Sequence, residues 1–384
     1  MASRRQFVSQ VMGWGGLLAL RGRSSRAADT PTRPLNFLIL GGTGAIGPYH
    51  VRAAVARGHR VAVFSRGKTQ ADLPAGVERL VGDRNGKMEA IASREWDAVI
   101  DIATFGPGWV RSLAQALGER VKHYTFISTV SVYDNPPMDR VTTEDSPVLA
   151  YTGKADPYAV VTHVGEDYGS LKVLSEREAA ARFPGRALVL RPGYIGGPGD
   201  SRALTYWAVR ASKGGDMLAA GDSAIPVQYL DVRDLSEWAI RLAEARVTGT
   251  YNAVGPAKPM TLAHLVEAAR STFAPRAKVM WVPEKWLLSQ SDPERWGTLL
   301  FWSRGVGPIM RMSNQRALSQ GLTTRPIETT LRDTLAWHRK QPPDQQASLI
   351  TGFRKNADGT WSQNQATWPD YLARERELLA MSPR

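Results

Sequence analysis

The chain has 384 residues, 43% hydrophobic and 22% charged, the proportions of a packed globular protein of one large or two modest domains. Cysteine is absent, which excludes disulfides, thiolate nucleophiles, Fe–S clusters and Cys-zinc sites, and the six histidines are scattered without HExxH or paired spacing, so no catalytic metal is expected. The formal charge is +13, and a basic surface attracts nucleic acid, anionic lipid or phosphorylated substrates without choosing among them.

Residues 1–28 carry five arginines and no acid. Arg4-Arg5 is followed by an uncharged stretch, Gln6 to Leu20, that falls short of the ~20 apolar residues of a membrane span. Arg21, Arg23 and Arg26 come next, and Ser25 and Ala27 fit the −3 and −1 positions of a signal-peptidase site. The segment resembles a twin-arginine export signal, which implies a periplasmic or extracytoplasmic protein. The alternative is a basic tail on a cytoplasmic enzyme.

Leu35–Leu40 is an apolar run bounded by glycine and predicts a buried parallel strand. Gly44 to Ala56 has helical spacing. Further strands are predicted at Arg60–Ser65, Val77–Val81, Trp96–Ile102 and Tyr124–Ser128, with a helix at Val110 to Leu117. This alternation predicts right-handed crossovers and an α/β, doubly wound parallel sheet. Asp134 to Glu166 is polar and proline-bearing, and reads equally as a flap over a site or as a surface insertion. A helix at Tyr168 to Ala181 and a strand at Ala187–Arg191 resume the pattern. Short strands at Ile225–Leu230 and Thr250–Val254 follow, flanked by helices at Ala203–Ala211, Leu235–Ala245 and Leu262–Thr272. Trp281, Trp286, Trp296 and Trp302 cluster in the C-terminal part, where aromatic faces pack against sugar-like ligands or, more commonly, form core. Gln341-Pro342-Pro343 is expected to end the compact part, with a closing helix near Tyr371–Leu379. The division expected is a Rossmann domain at 33–193, completed by segments near 225–254, a smaller substrate domain mainly at 194–340, and a tail at 341–384.

Two motifs carry chemistry. Gly41, Gly44 and Gly47, in GGTGAIG, follow the first strand and open a helix. Glycine permits the sharp turn and lets backbone N–H groups of Thr43, Ala45 and Ile46 approach a pyrophosphate at the helix N-terminus. The second strand ends in Ser65-Arg66, where an NAD-selective enzyme places a carboxylate about 20 residues past the glycines. A guanidinium suits a 2′-phosphate, so NADP is preferred over NAD; Asp83, after the third strand, is placed to reach the adenine edge. Tyr168 and Lys172, at i and i+4, share one helix face. The ammonium is expected to depress the phenol pKa and contact the nicotinamide ribose, leaving the phenol as general acid/base.

With GGTGAIG at 41–47, STVSVY at 128–133, YGSLKVLSE at 168–176, RPGYIGGPGD at 191–200, QYLDVRDL at 228–235 and GTYNAVGP at 249–256, the chain resembles the short-chain dehydrogenase/reductase superfamily. Within it the resemblance is to the extended or atypical NAD-dependent epimerase/dehydratase branch, over about residues 35–340. The resemblance implies that Thr129, four residues before Tyr133, contacts the reacting hydroxyl, with Ser128 and Ser131 as fallbacks. It also implies cofactor contacts from Ala103, Pro192 and Ile195. Val130 and Ser131 replace the Asp-Glu of family dehydratases, which disfavours elimination. Gly193 and Tyr194 stand where many UDP-hexose epimerases have asparagine, which leaves a UDP-sugar substrate unsupported.

The expected protein is therefore an NAD(P)-dependent oxidoreductase or epimerase acting on a secondary alcohol or ketone of a small-molecule substrate. The alternative is a non-catalytic NADP-sensing or RNA-associated binding protein on the same fold. The intact Tyr168/Lys172 pair argues against a pure sensor, and the dispersed basic residues, with no run of five, give no nucleic-acid groove.

Overall fold

A computed structural model of the chain describes residues 33–102, 106–134, 136, 139–159, 165–200, 203–290, 299–302, 310–348, 353–355, 361–363 and 368–381. The export-signal segment, Ala103 and Trp296 lie outside the described residues. The N-terminal part alternates as expected: β1 (Asn36–Leu40), α1 (Gly47–Ala56), β2 (Arg60–Ser65), β3 (Glu78–Val81), α2 (Glu89–Ala92), β4 (Ala98–Asp101), α3 (Pro107–Leu117), β5 (Tyr124–Ile127), α4 (Tyr168–Arg182) and β6 (Ala187–Pro192). The chain continues through β7 (Ile195–Gly196), α5 (Ala203–Ser212), β8 (Met217–Ala220), β9 (Pro226–Val227), β10 (Leu230–Asp231) and α6 (Val232–Glu244). It then forms β11 (Gly249–Ala253), β12 (Met260–Thr261), α7 (Leu262–Phe273) and β13 (Val279–Val282).

Seven strands make one parallel sheet in the order β11-β6-β5-β4-β1-β2-β3, the doubly wound Rossmann arrangement. The apolar run of β1 places it at the centre: Phe37, Leu38 and Ile39 are fully buried, so helices must cover both faces. On one face α1 and α6 contribute Val51, Ala54, Leu235 and Trp238 to a core under Phe37 and Ile39. On the other, α3 and α4 contribute Val110, Leu113 and Ala179 to a core under Leu38 and Leu40. The order reverses beside β1, so the connections that leave β1 and β4 run to opposite faces of the sheet, the arrangement that opens a crevice at the C-terminal ends of the strands.

The second lobe is built from α5, α7 and two further helices, Ile327–His338 and Trp368–Met381, around Tyr206, Trp207 and Trp302. Three features depart from the sequence reading. The strand expected over Ile225–Leu230 is two, β9 and β10, each pairing with a different partner. The parallel pair β8–β13 was not expected. The compact part does not stop at Pro342-Pro343: the closing helix buries Tyr371 and Leu378 in the lobe, and Glu375 accepts from Arg210 Nε at 2.6 Å and from Leu218 N at 3.0 Å.

The turn between β1 and α1 is close-packed. Gly41 takes a positive φ of 81°, which favours glycine, and its carbonyl accepts from Gly44 N at 3.0 Å. A Cβ at Gly47 would lie 2.2 Å from the Gly41 oxygen and 2.6 Å from Gly42 Cα. Gly47→Ala is therefore expected to destabilise the protein by about 1–3 kcal/mol, the usual cost of overpacking, despite alanine's better helix propensity. A lowered midpoint in urea unfolding, with weakened dinucleotide binding, checks this.

Candidate active site

Two cavities open along the C-terminal edge of the sheet and meet at Ala45 and Ile46, over the start of α1. The first, about 440 Å³, is lined by Gly41, Thr43 and Gly44 from the turn, by Ser65, Arg66 and Lys68 after β2, and by Asp83, Arg84 and Asn85 after β3. Ile46 caps α1 without a side-chain hydrogen bond, so the helix N-terminus is left for another partner to satisfy. That end faces the cavity, and its positive dipole, the glycine turn and the basic rim fit a dinucleotide. Gly47 lies beneath the turn as a spacer and lines neither cavity. Arg84, which the sequence reading passed over, is buried with both guanidinium ends on Asp101, at 2.5 and 2.7 Å, and lies over the Trp109 ring. Arg66 and Lys68 are exposed at the rim.

The second cavity, about 420 Å³, is lined by Thr129, Ser131 and Tyr168 on one side and by Gly193, Tyr194, Ile195, Asp200, Phe301 and Met310 on the other. Thr129 ends the loop after β5, where its Oγ1 accepts from Ser131 N at 3.1 Å and thereby starts a short 3-10 turn. Of the two fallbacks, Ser131 lines the chamber, whereas Ser128 is turned away to donate to Glu176 at 2.5 Å. Pro192, at the end of β6, is buried and lines neither cavity. Ile195 does line the chamber.

Tyr168 opens α4 and Lys172 lies one turn on, facing the sheet. Lys172 is 4% exposed; its Nζ donates to the Ile127 carbonyl at 2.8 Å and stands 6.0 Å from the Tyr168 ring centroid. Burial lowers the Lys172 pKa to about 8, against the partial support of Asp101 and Glu176. Burial also pushes the Tyr168 phenol above its ordinary value, and a hydrogen bond with Thr129 pulls it partly back. The expected depression of the phenol by Lys172 does not arise: desolvation sets the direction, Thr129 alone opposes it, and Tyr168 is held neutral at pH 7.

Asp200, Phe301 and Met310 escaped the sequence reading, and Tyr194 entered it only as a departure from the asparagine of UDP-hexose epimerases. Tyr194 donates to Asp200 at 2.6 Å and packs edge-on against Trp302. The only sequence signal was the density of glycines in RPGYIGGPGD, which let the backbone pass close to the chamber. Trp281, Trp286 and Trp302 pack in or against the lobe's core and line neither cavity.

Comparison with known proteins bears on the fold and the family. A chloroplast stem-loop binding protein of 41 kDa from Arabidopsis thaliana is 25% identical over 218 residues, covering 52% of each chain, so the match spans about half of that relative. A 2'-dehydrokanamycin reductase from Streptomyces kanamyceticus is 26% identical over 291 residues, 72% of this chain and 78% of the other. The structure of the UDP-Glc/GlcNAc 4-epimerase from Campylobacter jejuni superposes with a TM-score of 0.56 at 16% identity, covering 80% of this chain and all of that one, which shows a shared fold. The model of the NAD dependent epimerase/dehydratase family matches residues 37–254, more than half of the chain, and the protein belongs to that family.

Proposed function

We propose that the protein is an NAD(P)-dependent oxidoreductase or epimerase acting on a secondary alcohol or ketone. One observation carries the reading: Thr129 and Tyr168 interact on the same wall of a chamber that adjoins the dinucleotide-shaped groove, with Lys172 one helical turn behind. The likeness to a reductase and to epimerases supports hydride transfer. A pure binding protein would not need a proton-exchanging phenol in that chamber.

In this reading the glycine turn and the α1 N-terminus hold the pyrophosphate, and the residues after β2 and β3 hold the adenosine end. The bound nicotinamide supplies the hydride acceptor or donor. Thr129 orients the substrate oxygen. Tyr168, neutral at rest, gives its proton to a carbonyl oxygen being reduced and takes one from a hydroxyl being oxidised. Lys172 provides positive charge behind the phenol, stabilising the tyrosinate left when the proton has gone. Tyr168→Phe should keep cofactor binding and lose turnover by ~10²-fold or more on a verified substrate. Full activity in that variant would overturn the assignment.

Lys172 gives a pH signature. Its ammonium is half-titrated at about pH 8 and declines progressively across that point, so kcat should fall as pH rises through about 8. Because the folded pKa lies below the unfolded one, near ~10.4, the unfolded chain binds more protons between these values. This group therefore makes stability rise with pH across that window. Lys172→Met should abolish that rise, measured as the difference between wild-type and variant unfolding free energies at pH 7 and pH 10.

Arg66 and Lys68 at the groove rim, with no carboxylate at position 65 or 66, support NADP(H) as the preferred cofactor. One charged hydrogen bond at an exposed site is worth ~1.5 kcal/mol, about tenfold in affinity. NADP(H) should bind tighter than NAD(H) by that order, and Arg66→Asp should reverse the ranking by calorimetry. Equal affinities unchanged by the substitution would refute the preference.

A further inference from the structure

A third cavity, about 420 Å³, opens at the opposite edge of the sheet, where the strands begin. It lies between the segments leading into β1 and β4 and the last turn of α6, and its charged lining residues are Arg33, Arg241, Arg246, Asp97 and Glu244. The two carboxylates are already engaged. Glu244 accepts from Arg57 Nε and Nη2 at 2.5 and 2.6 Å and lies 2.7 Å from His59 Nε2. Asp97 accepts from Asn36 N at 3.0 Å and from Lys122 at 3.3 Å. Burial disfavours the ionised form of both, yet these contacts hold both pKa values below the ordinary range.

The three arginines are in the contrary position. Arg33 approaches Asp97 only to 3.6 Å and is 62% exposed. Arg241 is half-buried and donates to a neutral acceptor, the Gly321 carbonyl, at 3.0 Å, with no carboxylate in ion-pair range among the described residues. Burial lowers its pKa and Arg57 adds to this, so that the more distant Glu237, Glu244 and Asp234 offset it only in part, whereas burial-lowered Arg84, Arg191, Arg233 and Arg325 are each more than restored by a carboxylate. Arg246 makes no ion pair among the described residues and is the only non-glycine among them with positive φ, at 50°. It occupies the position past a helix end that glycine adopts without strain, and Arg246 N and Val247 N turn back onto the Ala243 and Leu242 carbonyls at 3.1 and 2.9 Å. The backbone there keeps a side chain at a conformational cost. Those bonds also occupy helix-end carbonyls that would otherwise repel an anion.

We propose that this rear cavity is a second ligand site, distinct from the dinucleotide groove, that binds the phosphate group of a soluble phosphomonoester through Arg33, Arg241 and Arg246. Its volume is close to that of the dinucleotide groove, which admits a ligand of sugar-phosphate size. Guanidinium groups suit a phosphate dianion because they present paired donors at fixed geometry.

The test is calorimetric titration of the full chain, saturated with NADP, with inorganic phosphate and with ribose 5-phosphate. The expected result is one site per chain, with Kd raised at least ~10-fold by Arg241→Gln and by Arg246→Gly, and unchanged by Arg60→Gln outside the cavity. Arg246→Gly keeps the backbone turn while removing the charge, so a loss of binding there does not reflect misfolding. Absence of binding, binding that appears only without NADP, or affinity unchanged in both variants would overturn the site. Co-sedimentation with phosphatidate-containing vesicles without binding of ribose 5-phosphate would also overturn it, by assigning the arginines to a lipid surface.

Discussion

The ion pair between Glu176 and Arg191 locks the helix carrying Tyr168 and Lys172 to the sheet. Both side chains are buried, and two parallel bonds join them, Nε to Oε1 at 3.0 Å and Nη2 to Oε2 at 2.7 Å. Ser128, after β5, donates to the same carboxylate, and the remaining Arg191 nitrogen reaches the Tyr133 hydroxyl and the Glu144 carbonyl. Glu176 stands one helical turn beyond Lys172 and two beyond Tyr168, so fixing it fixes the rotation of the whole face. A slip of one residue would swing Tyr168 by about 100° and out of the chamber. Breaking a buried pair strands the surviving charge at a cost of about 3–5 kcal/mol, while a matched apolar pair is often as stable. The pair is better understood as a geometric constraint on α4 than as a source of net stability.

The same arrangement explains how a lysine can lie almost wholly buried. Lys172 has no carboxylate of its own; it contacts the Ile127 carbonyl and the Phe126 ring. Its charge is tolerated because Asp101 and Glu176 lie on either side, and their influence is diluted because Arg84 and Arg191 already bind them. Tyr124 also donates to Asp101, at 2.7 Å. Two buried ion pairs, Arg84 with Asp101 at the end of β4 and Glu176 with Arg191 in β6, thus leave the ammonium marginally stable, with a pKa brought into the range where it exchanges protons.

Local patterns in the sequence reached the sheet and the glycine turn because their causes are local. A buried apolar run followed at once by glycine has few other uses, and β1 forms over Asn36–Leu40 within the expected stretch. The pairing of Tyr168 with Thr129, 39 residues earlier, was legible only through the family resemblance, since no local rule brings those positions together. What escaped was set by tertiary contacts. Ile225–Leu230 has the composition of one strand, but Gln228 in its middle bonds to the Met312 backbone from both ends of its amide and divides it. The Met217–Ala220 strand is four small or flexible residues whose pairing is decided by Val279–Val282, some sixty positions away. The tail helix docks through Arg210 and Tyr206, partners 165 residues distant, which no periodicity reveals.

The segment after β5 shows how the two lobes divide the work. Its polar composition allowed either a flap or a surface insertion, and its described residues are fastened away from the chamber. Thr142 pairs with Met312, Glu144 accepts from Asn252 N at 2.9 Å, and Leu149 N bonds to Val132. None of its described residues lines the chamber, so the wall opposite Tyr168 is supplied by the second lobe, through Tyr194, Phe301 and Met310. Tyr194 and Phe301 both pack against Trp302, and Asp200, which orients Tyr194, accepts from Thr205 N in the first turn of α5. That helix is held in turn by the tail, through Glu375. The parallel sheet therefore determines where hydride and proton can meet, and the packing of α5 under the tail determines the shape of the wall that a substrate must fit. A substitution in the tail helix such as Glu375→Gln is therefore expected to change KM for a verified substrate through that stack and to leave NADP affinity, measured by calorimetry, unchanged, because the dinucleotide groove rests on other elements.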